Sequence, residues 1–385
     1  MIQVEPKKPS DPDLGGSFAV TRYDQPTLAV LKDLWSSMPG GPVSTPFQSP
    51  HVLHAIQTTR AGFPEPAFSV FSVRRQDDTR PLMLVPLMMI ERGFFKVATM
   101  ADLDVVDVNA PVLAGDRPIH PGEYDGIVDA ILENLTDVDL FDAFNLPEKI
   151  GGLDNPFFRS SRMEKQTDVL ALSLDGEQNI AQLKSKSVFK EARRKGRKLT
   201  EQGVEFSEIR TEAEREKALL SLMEYKRRRL QETGITRDPW SEKQERFFKN
   251  ALNSYSDDYA QTTLLALRRN DEIVAVALAF VSDREFHGSL ISMGEEHWYK
   301  YSPGSVLICR IIEWALERGI RQFDFGPGSH GYKKHFGAQT YSLGRILVPV
   351  TAKGRSYMAL RTLKRIKNEL FQTIKSGSRR ETPAS

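Results

Sequence analysis

The fold of this chain is decided by residues 286–326, which read FHGSLISMGEEHWYKYSPGSVLICRIIEWALERGIRQFDFG. A β-like run is followed by a polar turn, an apolar helix and a second short strand that ends in glycine. Pro303 and Gly304 form the turn before the helix, and Ser302 is the expected N-cap. The free amides near Gly304 to Leu307 face this turn, with the positive end of the helix dipole behind them. The stretch therefore predicts an anion-binding turn, although a capped helix start with no ligand would show the same pattern.

The length and composition indicate a folded chain of more than one domain. A chain of 385 residues exceeds what one hydrophobic core usually serves, and 40% hydrophobic with 27% charged residues is typical of a globular protein. The single cysteine, Cys309, excludes an internal disulfide and a cysteine-based zinc cluster, and no HExxH pair occurs. The first residues have no apolar core typical of a signal peptide, and the most apolar run, Pro81 to Ile90, is too short to span a bilayer. We therefore expect a cytoplasmic protein without a bound metal.

The two halves of the chain differ in charge. Residues 1–150 contain 12 Lys and Arg against 21 Asp and Glu, whereas residues 151–385 contain 41 against 30. This asymmetry indicates an anionic partner for the second half, and coenzyme A, nucleotide sugars, RNA and anionic lipid all fit that description.

Helices and strands alternate in both halves. Apolar residues at helical spacing predict helices near residues 27–37, 50–60, 124–135, 180–203, 213–233, 241–254 and 305–318. Shorter runs predict strands near residues 68–74, 81–90, 97–100, 140–146, 169–174, 262–269, 273–282, 286–293, 322–325 and 341–350. The pattern predicts a mixed α/β (α+β) protein, in which the two halves have room to repeat one fold. We expect a flexible tail at residues 1–20, an N-terminal domain at 21–160, a C-terminal domain at 165–350, and a basic helix and tail at 351–385.

Several motifs carry a family resemblance through most of the chain. They are Thr45-Pro46-Phe47-Gln48-Ser49-Pro50, the basic helix from Lys190 to Leu199 with Gly203, Arg227-Arg228-Arg229-Leu230, Tyr301-Ser302-Pro303-Gly304, and Phe323-Asp324-Phe325-Gly326 followed by Tyr332-Lys333. In these motifs the chain resembles the GNAT superfamily, specifically the CelD-like acyltransferases associated with cellulose and exopolysaccharide production. The resemblance implies two tandem GNAT-like domains, each with a mixed, largely antiparallel sheet flanked by helices.

The resemblance also implies an acyl donor, acetyl-CoA or another acyl-CoA. Its pantetheine arm would lie between two splayed strands, which we expect at Phe286 to Met293 and Gln322 to Phe325. Its pyrophosphate would lie on the helix start, and the implied binding residues are Tyr301, Ser302, Pro303, Gly304 and Ser305. This stretch departs from the usual acetyl-CoA signature, which is Gln or Arg, two residues, Gly, one residue, and Gly or Ala, because the segment from Lys300 to Ser305 offers only one glycine, Gly304.

The end of this region also resembles the Fem-type aminoacyl transferases, a double-GNAT family that moves amino acids from aminoacyl-tRNA to peptidoglycan precursors. Their Phe-Lys-Lys-Gly-Phe-Gly motif is similar to the stretch from Tyr332 to Gly337, which reads YKKHFG. The match implies that Lys333 faces the reacting carbonyl or a substrate phosphate. The long two-helix insertion of tRNA-handling members is not evident, and neither tRNA nor DNA is an expected partner.

Acyl transfer needs a base, a donor to the carbonyl oxygen and an acid for the leaving group. We expect Glu295 or Glu296 as the base through a water molecule, Lys333 as the donor to the oxyanion, and Tyr332 as the acid. Asp324 would hold Lys333 or orient the acceptor. Each also has a plain structural interpretation: a solvated turn for the glutamates, a salt bridge for Asp324 and a solvated face for the lysine.

Two basic stretches complete the pattern. The helix from Lys184 to Lys198 has eight Lys and Arg and one Glu, and Arg193 and Arg194, with Arg229 from the next helix, are candidate ligands of a phosphorylated acceptor or donor. The stretch from Lys353 to Arg380 has nine Lys and Arg and one Glu, with apolar residues at helical spacing. This amphipathic helix either packs on its own domain or touches an anionic membrane.

The sequence thus predicts an acyl-CoA-dependent N- or O-acyltransferase that acts on a sugar or amine linked to cell-envelope or exopolysaccharide biosynthesis. Two alternatives remain open. One is Fem-like aminoacyl transfer, and the other is a catalytically degenerate GNAT module that serves as a binding subunit of a polysaccharide synthase.

Overall fold

The computed structural model describes residues 17–60, 68–235, 240–254, 256–326 and 331–363. The first half contains β1 (Phe18–Asp24), α1 (Leu28–Ser36), β2 (Pro42–Val43), α2 (Pro50–Thr59), β3 (Phe68–Arg75), β4 (Met83–Arg92), β5 (Phe95–Met100), β6 (Val112–Ala114), α3 (Tyr124–Glu133), β7 (Leu140–Pro147), β8 (Lys149–Ile150), β9 (Leu153–Asp154) and α4 (Pro156–Arg159). The second half contains β10 (Met163–Ser173), α5 (Glu177–Ser185), α6 (Ser187–Glu201), β11 (Glu205–Ile209), α7 (Glu212–Glu232), α8 (Glu242–Ser254), β12 (Gln261–Arg269), β13 (Glu272–Val281), β14 (Glu285–Met293), α9 (Pro303–Glu317), β15 (Gln322–Asp324), α10 (Gly331–His335), β16 (Gln339–Pro349) and α11 (residues 352–363).

The same strand arrangement occurs in both halves. In the first, β1, β3, β4 and β5 pair antiparallel in that order and β5 then pairs parallel with β7. In the second, β11, β12, β13 and β14 pair antiparallel and β14 then pairs parallel with β15. Two helices follow the first strand of each series, and one helix precedes its last strand. The predicted mixed, largely antiparallel sheet flanked by helices is confirmed.

The two series join into one 14-stranded sheet through β10 and β16. β16 pairs with β7 of the first half and with β10, and β10 pairs with β15 of the second half. Because the last strand of the chain extends the sheet of the first half, the two halves are interlocked. The domain boundary near residues 160–165 stays a prediction.

The buried core also connects the halves. One of its three apolar clusters contains Trp35 and Phe47 from the first half with Phe247 and Phe280 from the second, and the rings of Phe47 and Phe280 are 4.9 Å apart. Burial of one such side chain stabilises the fold by about 1.5–3 kcal/mol. This packing holds loops of the first half against the second.

Several predicted bounds differ from the structure. Residues 18–20 of the expected tail belong to β1, and residues 1–16 lie outside the described part. The expected helix at 180–203 is two helices, because Lys186 between them has extended backbone angles. Gly203, with a φ of 78°, follows α6 as the predicted cap. The basic C-terminal helix begins at residue 352, and residues 364–385 lie outside the described part. No helix in the described ranges is long and apolar enough to cross a membrane.

Candidate functional site

The parallel strands β14 and β15 separate at one point of the sheet. They pair from Glu285 and Gln322 to His287 and Asp324; β15 then ends, while β14 continues to Met293. A narrow cleft of about 50 Å³ lies at the opening. It is lined by Ala277, Phe286, Gly288, Ser289, Leu290, Ile291, Ile308, Ile311, Phe323, Phe325 and Tyr332. The two expected strands therefore do form a V-shaped gap.

A β-bulge lies at the mouth of this gap. In the pairing of β13 with β14, Leu278 is opposite Leu290 and Ala279 is opposite Gly288, so Ser289 is an extra residue. A bulge interrupts the ladder and leaves the extra residue unpaired. Backbone groups near Ser289 are thus available to a molecule in the gap.

A second cavity of about 260 Å³ adjoins the narrow cleft, because Ile291, Ile308 and Tyr332 line both. Its other lining residues are Tyr225, Lys226 and Arg229 on α7, Ser292, Met293 and Tyr299 after the gap, and Gly304 and Ser305 on α9. The combined space leads from the gap between the strands to the start of a helix. Such a shape fits an extended ligand with an anionic end.

The start of α9 has polar groups that suit an anion. Pro303 has no N–H group, and the N–H of Val306 donates to the carbonyl of Ser302 at 3.1 Å. Only the N–H groups of Gly304 and Ser305 therefore lack a hydrogen-bond acceptor within the first turn of α9. The sequence predicted free amides as far as Leu307. Lys195 on α6 adds a positive charge here, because its Nζ donates to Ser302 Oγ at 2.6 Å.

Ser302 does not cap α9 with its side chain as expected. Its φ of 48° and ψ of 56° are left-handed, and its hydroxyl bonds to Lys195 instead of a helix amide. Tyr301 is half-buried, with its ring 6.1 Å from that of Trp298, and is not among the residues that line the cavities described above. Of the five predicted donor-binding residues, Gly304 and Ser305 line the cavity.

The three predicted substrate-binding arginines do not converge. Arg193 lines a separate groove of about 500 Å³ between α6 and α9, with the cationic side chains of Lys190, Arg197 and Arg310. Arg194 is exposed and pairs with Glu191 at 2.7 Å. Arg229 lines the cavity beside α9 and pairs with Glu232 at 3.2 Å. The first and third therefore belong to different cavities.

Tyr332 and Lys333 lie on α10, a short helix. Tyr332 is 39% exposed and lines both cavities described above, and burial raises the pKa of its hydroxyl. Lys333 is 1% exposed, and its Nζ donates to the carbonyl of Gly326 at 2.7 Å. Burial lowers the pKa of Lys333, while the charges of Asp324 and Asp107 oppose that change. Lys333 is thus an interior cation.

Asp324 is held by neighbours on its own sheet. Its Oδ1 accepts the N–H of Gly326 at 2.7 Å, and its Oδ2 accepts the hydroxyl of Tyr341. Burial, followed by the charge of Asp324, raises the pKa of Tyr341. Gly326 has a φ of 73°, and a Cβ at this position would lie 2.7 Å from the carbonyl oxygen of Gly288. Glycine is therefore required where the strand ends.

Glu295 lies outside this buried group. Its carboxylate is about half exposed and pairs with Arg228 at 2.9 Å, and Arg228 also donates to the carbonyl of Gly294 at 2.9 Å. Arg228 would have to be displaced before Glu295 could act as a base.

Two residues near the point where β14 and β15 separate were not predicted from the sequence. Asp107 comes from the acidic loop of the first half, and its Oδ2 would lie 3.1 Å from a Cβ at Gly326. Burial, with the charge of Asp324, raises the pKa of Asp107 to about 8. His287 is buried on β14, and its Nε2 is 3.0 Å from Glu285 Oε2. Burial alone would lower the pKa of His287, but Glu285, Asp324 and Asp107 raise it.

Both residues keep an unused polar atom. Among the described residues, His287 Nδ1 and Asp107 Oδ2 are buried and have no hydrogen-bond partner. Buried polar atoms are usually satisfied, so each of these two atoms is able to take a further hydrogen bond. The signal in the sequence was a histidine inside an apolar strand. Within the described ranges, no group of three or more His, Cys, Asp or Glu residues is arranged to hold a metal.

Comparisons with known proteins agree with this geometry. Residues 186–334 match the family model of an acetyltransferase (GNAT) domain. A comparison with curated proteins gives no match. Among solved structures, FemX is similar with a TM-score of 0.55, at 12% identity over 85% of this chain and 97% of that chain. A conserved protein of unknown function from Bacteroides thetaiotaomicron is similar with a TM-score of 0.51, at 11% identity over 85% and 98% of the two chains.

At these identities the two structures show a shared fold alone. The family match covers the segment that contains α6, the gap between β14 and β15, the start of α9 and most of α10. The second half of the chain is therefore similar to a GNAT acetyltransferase domain, and this similarity indicates an acyltransferase.

Proposed function

We propose that the protein transfers an acyl group from acyl-CoA, with acetyl-CoA as the simplest donor, to the amine or hydroxyl of a sugar or amine acceptor. The observation that carries this proposal is the pair of adjoining cavities that extend from the β14–β15 gap to the first amides of α9. In this proposal the pantetheine arm enters at the gap and extends into the adjoining cavity of about 260 Å³. The pyrophosphate fits the amides of Gly304 and Ser305 beside Lys195, where the helix dipole favours negative charge.

In this proposal the thioester carbonyl lies beside the bulge at Ser289. An unpaired backbone N–H there stabilises the oxyanion of the tetrahedral intermediate. The acceptor nitrogen or oxygen attacks the carbonyl carbon, and the bond from carbon to sulfur breaks as the intermediate collapses. Tyr332 lines the same cleft, and since burial raises its pKa its hydroxyl keeps a proton to give to the leaving thiolate.

The proton of the acceptor goes to His287. Glu285 holds Nε2 of the ring and leaves Nδ1 as the free base, as expected of a base oriented by a carboxylate. Asp107, protonated below a pKa of about 8, donates a hydrogen bond to the acceptor. Asp324 and Lys333 hold the turn at Gly326. Glu295, which pairs with Arg228, remains a candidate second base.

The donor site is tested by calorimetry with acetyl-CoA. Ser305→Glu puts a negative charge at the first amides of α9, and glutamate is well tolerated in the first turn of a helix. We expect binding to weaken about 100-fold, because two like charges would meet at the phosphate site. Gly304→Glu is less suited, since a Cβ there lies 3.1 Å from Met293 Sδ.

The matched control is Gln178→Glu, which adds the same charge in the exposed first turn of α5. It should bind acetyl-CoA like the unmodified protein. Equal affinity of both variants would refute the placement of the pyrophosphate. If the unmodified protein binds no acyl-CoA, the acyl-CoA proposal fails.

A second candidate is Fem-like aminoacyl transfer. The similarity in fold to FemX, which extends over 97% of that chain, favours it, as does the short motif around Lys333. Against it, the ammonium of Lys333 is buried and bonded to Gly326 rather than open to the cavity. Failure to bind acyl-CoA together with transfer from an aminoacyl donor would establish this candidate, and donor binding without turnover would favour a degenerate binding subunit.

The setting of the reaction is also a proposal. From the motifs given above we propose that the protein belongs to the CelD-like group and that its acceptor is linked to cell-envelope or exopolysaccharide biosynthesis. From its composition we propose a cytoplasmic location. The cationic groove around Arg193 is the proposed contact of a phosphate on the acceptor or donor. The basic C-terminal segment is the proposed contact with a membrane.

A further inference from the structure

The tip of the hairpin between β4 and β5 exposes a large aromatic side chain. Phe94 is 90% exposed in the two-residue turn that follows Arg92. α11 exposes two more apolar side chains, Leu360 at 58% and Leu363 at 63%. Single exposed apolar residues are ordinary, but a group of them on one face marks an interaction surface.

The hairpin and α11 are in direct contact. The ring of Phe95 is 5.0 Å from that of Tyr357, and Lys353 Nζ is 5.5 Å from the centre of the Phe95 ring. Lys353, Tyr357 and Leu360 are spaced four and three residues apart, and so they lie on one stripe of the helix. The stripe that meets the hairpin therefore continues to Leu360.

α11 is fixed to the sheet and cannot turn its exposed face inward. A Cβ at Gly354 would lie 1.9 Å from the carbonyl oxygen of Asp139, and Lys353 pairs with Asp139 at 3.0 Å. Glycine therefore permits close contact of helix and sheet. The exposed side chains are held away from the core.

The charge of this face has one dominant sign. Residues 352–363 contain Lys353, Arg355 and Arg361 and no acidic residue. On the hairpin, exposed Glu91 opposes Lys96, while Arg92 pairs with Asp142 at 2.7 Å. The surface combines an apolar tip with a cationic surround.

We propose that the surface formed by Phe94, Leu360 and Leu363 with Lys353 and Arg355 docks on an anionic lipid bilayer. The apolar side chains enter the boundary between headgroups and acyl chains, and the cations remain at the headgroups. A protein partner would be expected to bring acidic side chains to a flatter surface; a protruding phenylalanine with surrounding cations fits a lipid interface better. The hairpin adds a second point of insertion to the basic helix and is separate from the donor cavity.

The test uses the full chain and sedimentation with vesicles of phosphatidylcholine alone or mixed with phosphatidylglycerol. We expect binding to the mixed vesicles that falls with salt, and at least about tenfold weaker binding to phosphatidylcholine. Phe94→Ser should weaken binding to mixed vesicles about tenfold, and so should Leu360→Ser. Leu220→Ser is the matched control, because Leu220 on α7 is also 63% exposed and lies outside this surface.

Unchanged binding of Phe94→Ser would overturn the proposal, as would equal binding to both kinds of vesicle. If Phe94→Ser instead converts a dimer into a monomer, the surface is covered by a second copy and the proposal is wrong. Urea unfolding of each variant guards against misfolding. Acetyl-CoA binding should be unchanged in Phe94→Ser, so failure here is distinguishable from failure of the acyltransferase proposal.

Discussion

Replacement of Lys333 is expected to damage the fold as well as the reaction. The side chain is 1% exposed, and its ammonium donates to the carbonyl of Gly326 between the charges of Asp324 and Asp107. Without the ammonium, buried oxygen atoms on three residues lose the nearby positive charge. A lysine on a solvated face could be replaced with little change in stability, whereas the burial of Lys333 predicts a large loss.

The magnitude follows from the burial. Removal of one partner of a buried ionic group destabilises a protein by about 3–5 kcal/mol, because the other partner is left uncompensated. Lys333→Met keeps most of the aliphatic stem and removes the charge, so we expect a loss in that range. Lys334 is the next residue of the same short helix and is exposed, so Lys334→Ala should change the free energy of unfolding by less than about 0.5 kcal/mol.

Urea unfolding followed by tryptophan fluorescence measures these differences. The deficit of Lys333→Met should be larger near pH 8.5 than near pH 6, because Asp107, with a pKa of about 8, is ionised mainly at the higher pH. Asp107→Asn in the Lys333→Met background should recover part of the loss by removing one of the uncompensated carboxylates. Equal stability of Lys333→Met and Lys334→Ala at both pH values would refute the reasoning.

Three further variants test the proposed chemistry and its pH dependence. His287→Gln should lower kcat by about 10²–10⁴-fold. In the unmodified protein kcat/KM should rise with pH through a midpoint above 6.5, because the pKa of His287 is raised, and this rise should be absent from the steady-state profile of the variant. Asp107→Asn should be as stable as the unmodified protein near pH 4 and more stable near pH 8.5, by at most roughly 5 kcal/mol in urea unfolding. The sign follows because a carboxyl with a raised folded pKa contributes stability at low pH and loses it as pH rises through about 8. Tyr332→Phe should bind acetyl-CoA normally in calorimetry yet turn over about tenfold more slowly, and an unchanged kcat would remove Tyr332 as the acid.

Local pattern predicted the elements of the second half well. The stretch from residue 286 to 326 contains β14, α9 and β15, and these elements make the gap and the helix start expected from it. Such features are set by alternation and helical spacing within a few residues, which the sequence shows directly. The separation of β14 and β15 was implied by the family resemblance and not by this local pattern.

Pairing between distant segments was not predictable in the same way. Nothing local indicates that β16 lies between β7 and β10, because strand pairing depends on the whole sheet. The boundaries proposed at residues 160 and 165 treat the halves as consecutive units, yet the last strand of the chain pairs with β7 of the first half. Nothing local indicates the burial of the acidic segment around Asp107 either, whereas the packing of the halves buries it against Gly326.

The position of Lys333 shows how burial changes the meaning of a charge. In the sequence, Lys333 and Lys334 allow two interpretations, a solvated pair or one lysine that acts on the acyl carbonyl. In the structure, α10 points one side chain inward and leaves the other exposed. The inward ammonium is tolerated because Asp324 and Asp107 offset the effect of burial, and these two residues come from opposite halves of the chain. The interior cation therefore depends on the packing of the two halves, and a variant that loosens this packing should lose stability and catalysis together.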